Sequence, residues 1–408
     1  MGSPASAGTS RSLYLIALPC LAAVQVLSTM AFNTGAVLTP AAAPDMGVSK
    51  DDVAYFVALV YLTSIFAILA SGAMARRLGP IRFTQIALLI SASGVALLSV
   101  GHIATAMLAA LLIGMGGGGP VTVANSQTLS RVAPPHLSNV TFSITQSGVP
   151  LAFALSGAIL PSVAEAIGWR HAALTVALIT ATAAIAIQPL RRLYDDERSS
   201  GGRIFPRFAT IAEPLALCWR DPPLRLLCLV GMVYSATQST VTNFIVNYGM
   251  DHLRLDYVAA GALLSAASLA AVAGRIGWGV LADALSRPLT MLAALGFIMA
   301  LAGTTVALAQ PQWPRWIIYA MAVVIGASAV SWNGVYISEC ARRAPAGRAG
   351  EFVGATSFFV FLGPVLWPTL LRQLLYLTQS YPLGFALIAV CAALCAIAIS
   401  SRVRRGER

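Results

Sequence analysis

G-R-I-G-W-G-V-L-A-D-A-L-S-R, Gly274 to Arg287, sets one arginine inside an apolar run and closes that run with Gly279, Asp283 and Arg287. The surrounding window, 257–282, is long enough to cross the roughly 30 Å hydrocarbon core of a bilayer as a helix. Arg275 then lies eight residues before Asp283, about 12 Å at helical rise, near the bilayer midplane. A charge at that depth is costly and marks a functional position by default.

The rest of the chain fits a membrane reading. Of 408 residues, 58% are hydrophobic and only 10% charged, against about 25% charged in a soluble domain. The net charge of +11 comes from arginines scattered at predicted helix ends, with Lys50 the single lysine. That scatter speaks for membrane topology and against a nucleic-acid surface. Met1 to Ser10 has no basic region, apolar core or cleavage site of a secretory signal, so no processing is expected. The six cysteines form no C-x-x-C pair, and His102, His136, His171 and His252 are far apart. Neither a disulfide framework nor a metal site is implied, and no cofactor is expected.

Apolar windows of spanning length fall at 13–38, 53–75, 83–101, 104–129, 139–163, 170–189, 226–249, 257–282, 288–309, 316–338, 352–376 and 380–401. The predicted fold is all-α, with twelve transmembrane helices in two six-helix bundles. With the N-terminus inside, twenty basic residues lie in inner segments and five in outer ones, which places both termini in the cytoplasm by the positive-inside rule. The expected division is a cytoplasmic tail at 1–12, a bundle at 13–190, a cytoplasmic linker at 191–223, a bundle at 224–401 and a tail at 402–408. The linker, charged and rich in Gly, Ser and Pro, is not expected to form a core of its own.

The bundles read as copies. Gly72 and Gly279 differ by 207, Asn33 and Asn243 by 210, and Asp52 and Asp256 by 204. A repeat of this length in a polytopic chain points to a transporter built around a midplane site.

At these residues the chain resembles the major facilitator superfamily over essentially its whole length. Gly279 to Arg287, G-V-L-A-D-A-L-S-R, follows the family's loop signature; the first copy, Gly72 to Gly79, has Arg76 where the family usually has aspartate. The glycine run Gly114 to Pro120 and the segment Thr145 to Leu151, T-Q-S-G-V-P-L, are also family-like. Arg275, followed by Trp332 and Tyr336 one turn apart, is similar to the organic-anion branch, which includes monocarboxylate carriers and oxalate/formate exchangers. The Gln-Ser-Gly-Val-Pro segment is similar to carriers grouped with cyanate transporters. The resemblance implies a secondary transporter of a small organic anion in a cytoplasmic (inner) membrane, acting as a monomer, with a co-transported proton or an exchanged anion. A drug or metabolite exporter of the same fold is the alternative; neither is an enzyme.

Arg275 is the principal candidate contact for substrate, since a guanidinium can grip a carboxylate at two points. Its other reading is a bond to a backbone carbonyl, or a lock on the inner loop through Asp283. The assigned spans contain no Asp, Glu or Lys that could pair with it. Around it, Gln25, Asn33, Asn125, Gln146, Ser147, Gln238, Asn243, Asn247 and Asn333, with Trp332 and Tyr336, are the further candidates for the substrate wall. Singly, each polar residue also suits an interhelical hydrogen bond, and the aromatic pair also suits packing. Gly72, Arg76, Gly279, Asp283 and Arg287 are expected to form a conformational gate. Gly114 to Gly119 lacks the lysine of a phosphate loop and is read as close helix packing. Arg372, near the outer surface, is expected to snorkel to it.

Overall fold

The computed structural model describes residues 4–134, 138–195, 208–285, 287–343 and 349–404; some side chains within these ranges, that of Asp283 among them, lie outside the described set. The chain is helical throughout: α1 (Pro4–Met46), α2 (Val53–Leu78), α3 (Pro80–Leu98), α4 (Ile103–Gly116), α5 (Gly119–Val132), α6 (Ser138–Ile167), α7 (Trp169–Ala186), α8 (Arg191–Tyr194), α9 (Phe208–Arg220), α10 (Pro222–Asp251), α11 (Tyr257–Leu285), α12 (Pro288–Leu308), α13 (Arg315–Ala329), α14 (Asn333–Arg343), α15 (Ala349–Thr378) and α16 (Tyr381–Arg404). The pair α4 and α5 forms one span, and so does the pair α13 and α14. Twelve spans result, in two bundles of six that we call the first and second halves. Both termini emerge on one face, the terminal side; the opposite face is the distal side.

Eleven of the spans are long and apolar enough to cross a membrane by composition alone. The exception is α10, whose middle carries Gln238, Ser239, Thr240, Thr242, Asn243 and Asn247. Thr237, Thr240 and Thr242 return their hydroxyls to carbonyls one turn earlier in the same helix, and α10 is buried along most of its length. A helix enclosed by other helices tolerates polarity that a lipid-facing one does not.

The fourth and tenth windows, each expected as a single helix, are broken. Gly118 takes φ +39 between α4 and α5, a left-handed conformation that only glycine adopts readily. The glycine run does pack closely: a Cβ on Gly114 would lie 1.9 Å from Thr63 Oγ1, and one on Gly116 would lie 2.2 Å from the Ala87 carbonyl. The second break has no glycine at its turn; Val330 to Trp332 leave the helix and α14 restarts at Asn333.

Part of the linker is helical and packs on the second half. Trp219 of α9 stacks on Phe359 of α15 with ring centroids 5.7 Å apart, and Cys218 is fully buried. At its start, Asp195 is 2% exposed and receives the backbone N–H groups of Ile81 at 2.8 Å and Arg82 at 3.0 Å. A carboxylate there satisfies donors that a helix start leaves over and opposes the positive end of the α3 dipole. Gly79 precedes them at φ +93, and a Cβ there would meet the Asp195 carboxyl carbon at 2.3 Å.

Asp195→Ala leaves two buried donors unmet and is expected to destabilise the protein by about 1–3 kcal/mol. A lower apparent melting temperature in detergent, with Asp195→Asn falling between alanine and wild type, is the result to look for.

Candidate functional site

The two breaks lie deep in the bundle, and the second helix of each half is fastened to the break in the fourth. In the first half, Ser64 of α2 donates its hydroxyl to the Gly114 carbonyl in the last turn of α4, at 2.9 Å. In the second, Trp278 of α11 donates Nε1–H to the Ala327 carbonyl at 2.7 Å, and Arg275 donates Nε–H to the Val330 carbonyl at 3.3 Å. A helix that ends inside a membrane leaves carbonyls without donors. Arg275 and Trp278, one turn apart in the stretch that organises the sequence, supply them, and the cation also faces the negative end of α13.

A second bond joins the halves. Arg275 Nη1 donates to the Gln146 carbonyl of α6 at 2.8 Å. Arg275 is four residues, about 6 Å, to the terminal side of the midpoint of α11, and it is partly buried. No carboxylate pairs with it, and its Nη2 has no hydrogen-bond partner among the described residues. The backbone-carbonyl alternative for Arg275 is thus realised, without a resident counter-ion.

The glutamines complete the breaks. Gln238 Oε1 on α10 accepts from Trp332 Nε1 at 3.2 Å and Asn333 Nδ2 at 3.3 Å. Gln25 Oε1 on α1 accepts from Thr122 Oγ1 and Asn125 Nδ2, both at 3.2 Å. In each half the first helix therefore gives one amide oxygen to two donors of the broken fourth helix. Thr122, Ser64 and Trp278 were not among the expected site residues, and Gln25 was expected in the polar wall but not as a junction. Only the recurrence of a glutamine in the first helix of each half signalled it.

The remaining expected residues divide. Trp332 and Tyr336 are buried and meet edge to face at 5.1 Å, with Tyr336 against Gly231; they pack the second half. Asn243 is satisfied within α10 by Ser239 and Thr242. Asn33 is 1% exposed, and neither of its amide atoms has a partner among the described residues. Gln146 contributes its backbone carbonyl. Of the gate set, Gly72 accepts Gln127 Nε2 on its carbonyl at 3.0 Å, and Gly279 has no contact within 4 Å of a built Cβ. Arg76 and Arg287 are exposed, and the Asp283 side chain lies outside the described residues. Glu339, one residue past the tenth window and absent from the expected set, is fully buried and paired with Arg342 and Arg343.

On the distal side the halves are held by the Tyr257 hydroxyl of α11, which donates to the Val37 carbonyl of α1 at 2.6 Å, and by the short segment Lys50 to Tyr55. Lys50 pairs with Asp251, and its carbonyl accepts Asn247 Nδ2 at 3.1 Å. Asp51 accepts the Tyr381 hydroxyl, Asp52 accepts Arg372 Nε at 2.8 Å, and Tyr55 accepts Gln373 Nε2 at 3.1 Å. Arg372, expected to snorkel, is instead an ion-pair partner across the halves, its guanidinium taken by Asp52. Beside the segment lies a crevice of about 240 Å³ lined by Asp51, Asp251, His252 and Tyr381. Among the described residues, hydrogen bonds between halves run from this end to Arg275, so the distal side is closed.

Two bundles around a polar, broken-helix centre, closed on the distal side, suit a membrane transporter. The model of the Major Facilitator Superfamily matches residues 21–368, and the chain belongs to that superfamily; it is a transporter and not an enzyme. No curated protein matches the chain. Among solved structures it is similar to a POT family transporter in complex with 5-aminolevulinic acid, at 14% identity and TM-score 0.75, covering 98% of this chain and 97% of that one. A POT family transporter in complex with a thioalcohol-conjugated peptide gives 14% identity and TM-score 0.76, with the same coverage. At that identity the likeness concerns the fold.

Removing the Arg372 guanidinium is expected to loosen the distal seal. In a cysteine-free background, Asn247→Cys should react with a hydrophilic maleimide several times faster when combined with Arg372→Ala. The exchange Asp52→Arg with Arg372→Asp should bring the rate back.

Proposed function

We propose that the chain is a secondary active transporter that moves a small organic anion of the carboxylate type by alternating access, with Arg275 as the fixed cation at its site. The observation that carries this reading is a guanidinium inside the span that is held by two carbonyl dipoles and, among the described residues, has neither a carboxylate partner nor a hydrogen bond from Nη2. The first half supports it by contrast. There a neutral serine meets the carbonyl at the break, so a charge is more than the backbone requires. A carboxylate binds a guanidinium more strongly than a neutral carbonyl does and is the natural occupant of the free edge.

Asn333, Gln238 and Gln146 are partly exposed close to Arg275 or to the break it fastens and form the polar wall; Asn125 holds the equivalent break in the first half. Asn33, Asn243, Trp332 and Tyr336 shape that wall from behind. The structurally similar transporters were solved with 5-aminolevulinic acid and with a peptide, ligands that carry an amine beside a carboxylate. In this chain the fully buried carboxylate of the second half, Glu339, lies at the terminal-side end of the tenth span and is taken by two arginines, so an anion suits the site better than a zwitterion.

The excess of arginine on the terminal side supports a cytoplasmic (inner) membrane with both termini in the cytoplasm. Gly72, Arg76, Gly279, Asp283 and Arg287 would close that side when the distal side opens. Coupling is to a proton or an exchanged anion, and the working unit is a monomer.

Uptake of labelled mono- and dicarboxylates into proteoliposomes, with and without a pH gradient, tests the reading. Arg275→Lys keeps the charge and loses the fork; transport of the preferred anion is expected to fall at least tenfold while the protein still folds. Equal kinetics for every anion carried would remove Arg275 from the site.

A further inference from the structure

Two prolines lie inside α6, at 150 and 161. A proline has no N–H to offer the carbonyl four residues earlier, so Gln146 and Gly157 each keep a carbonyl without its intrahelical donor. Both carbonyls face α11. The Gly157 carbonyl sits so close to Gly261 that a Cβ there would lie 2.4 Å away, and the Gln146 carbonyl takes Arg275. Between them, Ser265 Oγ donates to the Ala154 carbonyl at 2.8 Å. The seam between the halves is thus fixed by a tight crossing at Gly157 and Gly261 and ends, toward the terminal side, on one bond from a guanidinium to a carbonyl that Pro150 left free.

We propose that Pro150 is a positioning residue: it makes the Gln146 carbonyl the resting partner of Arg275, and an arriving anion displaces that partner and so unfastens α11 from α6. This rests on the reading of Arg275 as the anion's contact. The exchange follows from the donors. Nε is committed to Val330, Nη2 is free, and Nη1 is held by a neutral carbonyl across the boundary between the halves. Nη1 carries two N–H groups; an anion gripped at two points by Nη1 and Nη2 turns the end of the guanidinium toward itself and so draws Nη1 off the Gln146 carbonyl, and the bond it replaces is one that joins the halves. Substrate binding and release of the seam become one event, since an interaction made in only one state biases the equilibrium by its own strength.

Pro150→Ala restores an N–H at position 150 and gives the Gln146 carbonyl a donor of its own helix. With the competitor weakened, the KM of the preferred carboxylate is expected to fall about fivefold, the worth of one hydrogen bond, with kcat unchanged or lower. A merely structural proline would change the amount of folded protein and leave KM alone. Pro150→Gly, which restores the same N–H, serves where the alanine variant is not recovered. A substrate-free arm accompanies it: Arg275→Gln should lower the apparent melting temperature by less in the Pro150→Ala background than in wild type. Additive melting shifts would overturn the strap. Coupled melting shifts with an unchanged KM would overturn the displacement and leave anion transport standing. If no carboxylate depends on Arg275, the functional reading fails and takes the displacement with it, while coupled melting shifts would still identify Pro150 as the residue that positions Arg275.

Discussion

A guanidinium answering two backbone carbonyls that their own helices cannot satisfy is the constraint around which this molecule is built. One carbonyl ends α13 at the break in the tenth span, and the other is released by Pro150 in the fifth. In hydrocarbon an unmet carbonyl costs several kcal/mol, so neither interruption survives without a donor from a neighbour. A serine or tryptophan could serve one of them, as Ser64 and Trp278 do nearby. Arg275 serves both at once, Nε–H going to Val330 and Nη1–H to Gln146.

The two halves solve the same problem with different chemistry. Each breaks its fourth helix, gives the break a donor from its second helix and ties it with a glutamine oxygen from its first. The first half does so with neutral groups and a glycine at φ +39; the second does so with a cation and no glycine. Pseudo-symmetry fixes where the breaks fall, and the departure from it fixes where charge is stored. A transporter needs both, because related bundles can rock about a common centre while an asymmetric charge gives that centre a preferred cargo.

The twelve spans were legible because lipid demands long apolar windows; α10, read as one of them over 226–249, is the span whose polar middle keeps it below the others in hydropathy. Arg275 stood out for the same reason. What the chain hid was pairing. The Lys50 to Tyr55 segment reads as an ordinary charged loop, and nothing local says that Asp52 will find Arg372 three hundred residues on. Asp195 lies in a stretch whose composition suggests a linker, and its burial depends on the start of α3 needing an acceptor. The Gln146 carbonyl is the instructive miss. Pro150 announces an orphaned carbonyl four residues back, so the question of what fills it could have been put from the sequence, although the answer, Arg275, required the fold.

The distal closure and the centre pull in opposite directions, which is what a carrier requires. Closing the distal side gains two ion pairs and three further hydrogen bonds at Lys50 to Tyr55, exposed enough that each ion pair is worth about 1 kcal/mol or less. The same closed state buries Asn33, whose amide finds no protein partner at either end, a liability of about 1–3 kcal/mol for each group left unmet. Surface attraction and buried frustration are then of similar size. Opposed terms of this size amount to a few kcal/mol in all, so a single charge-assisted contact made in one conformation only would be enough to bias the balance between it and another.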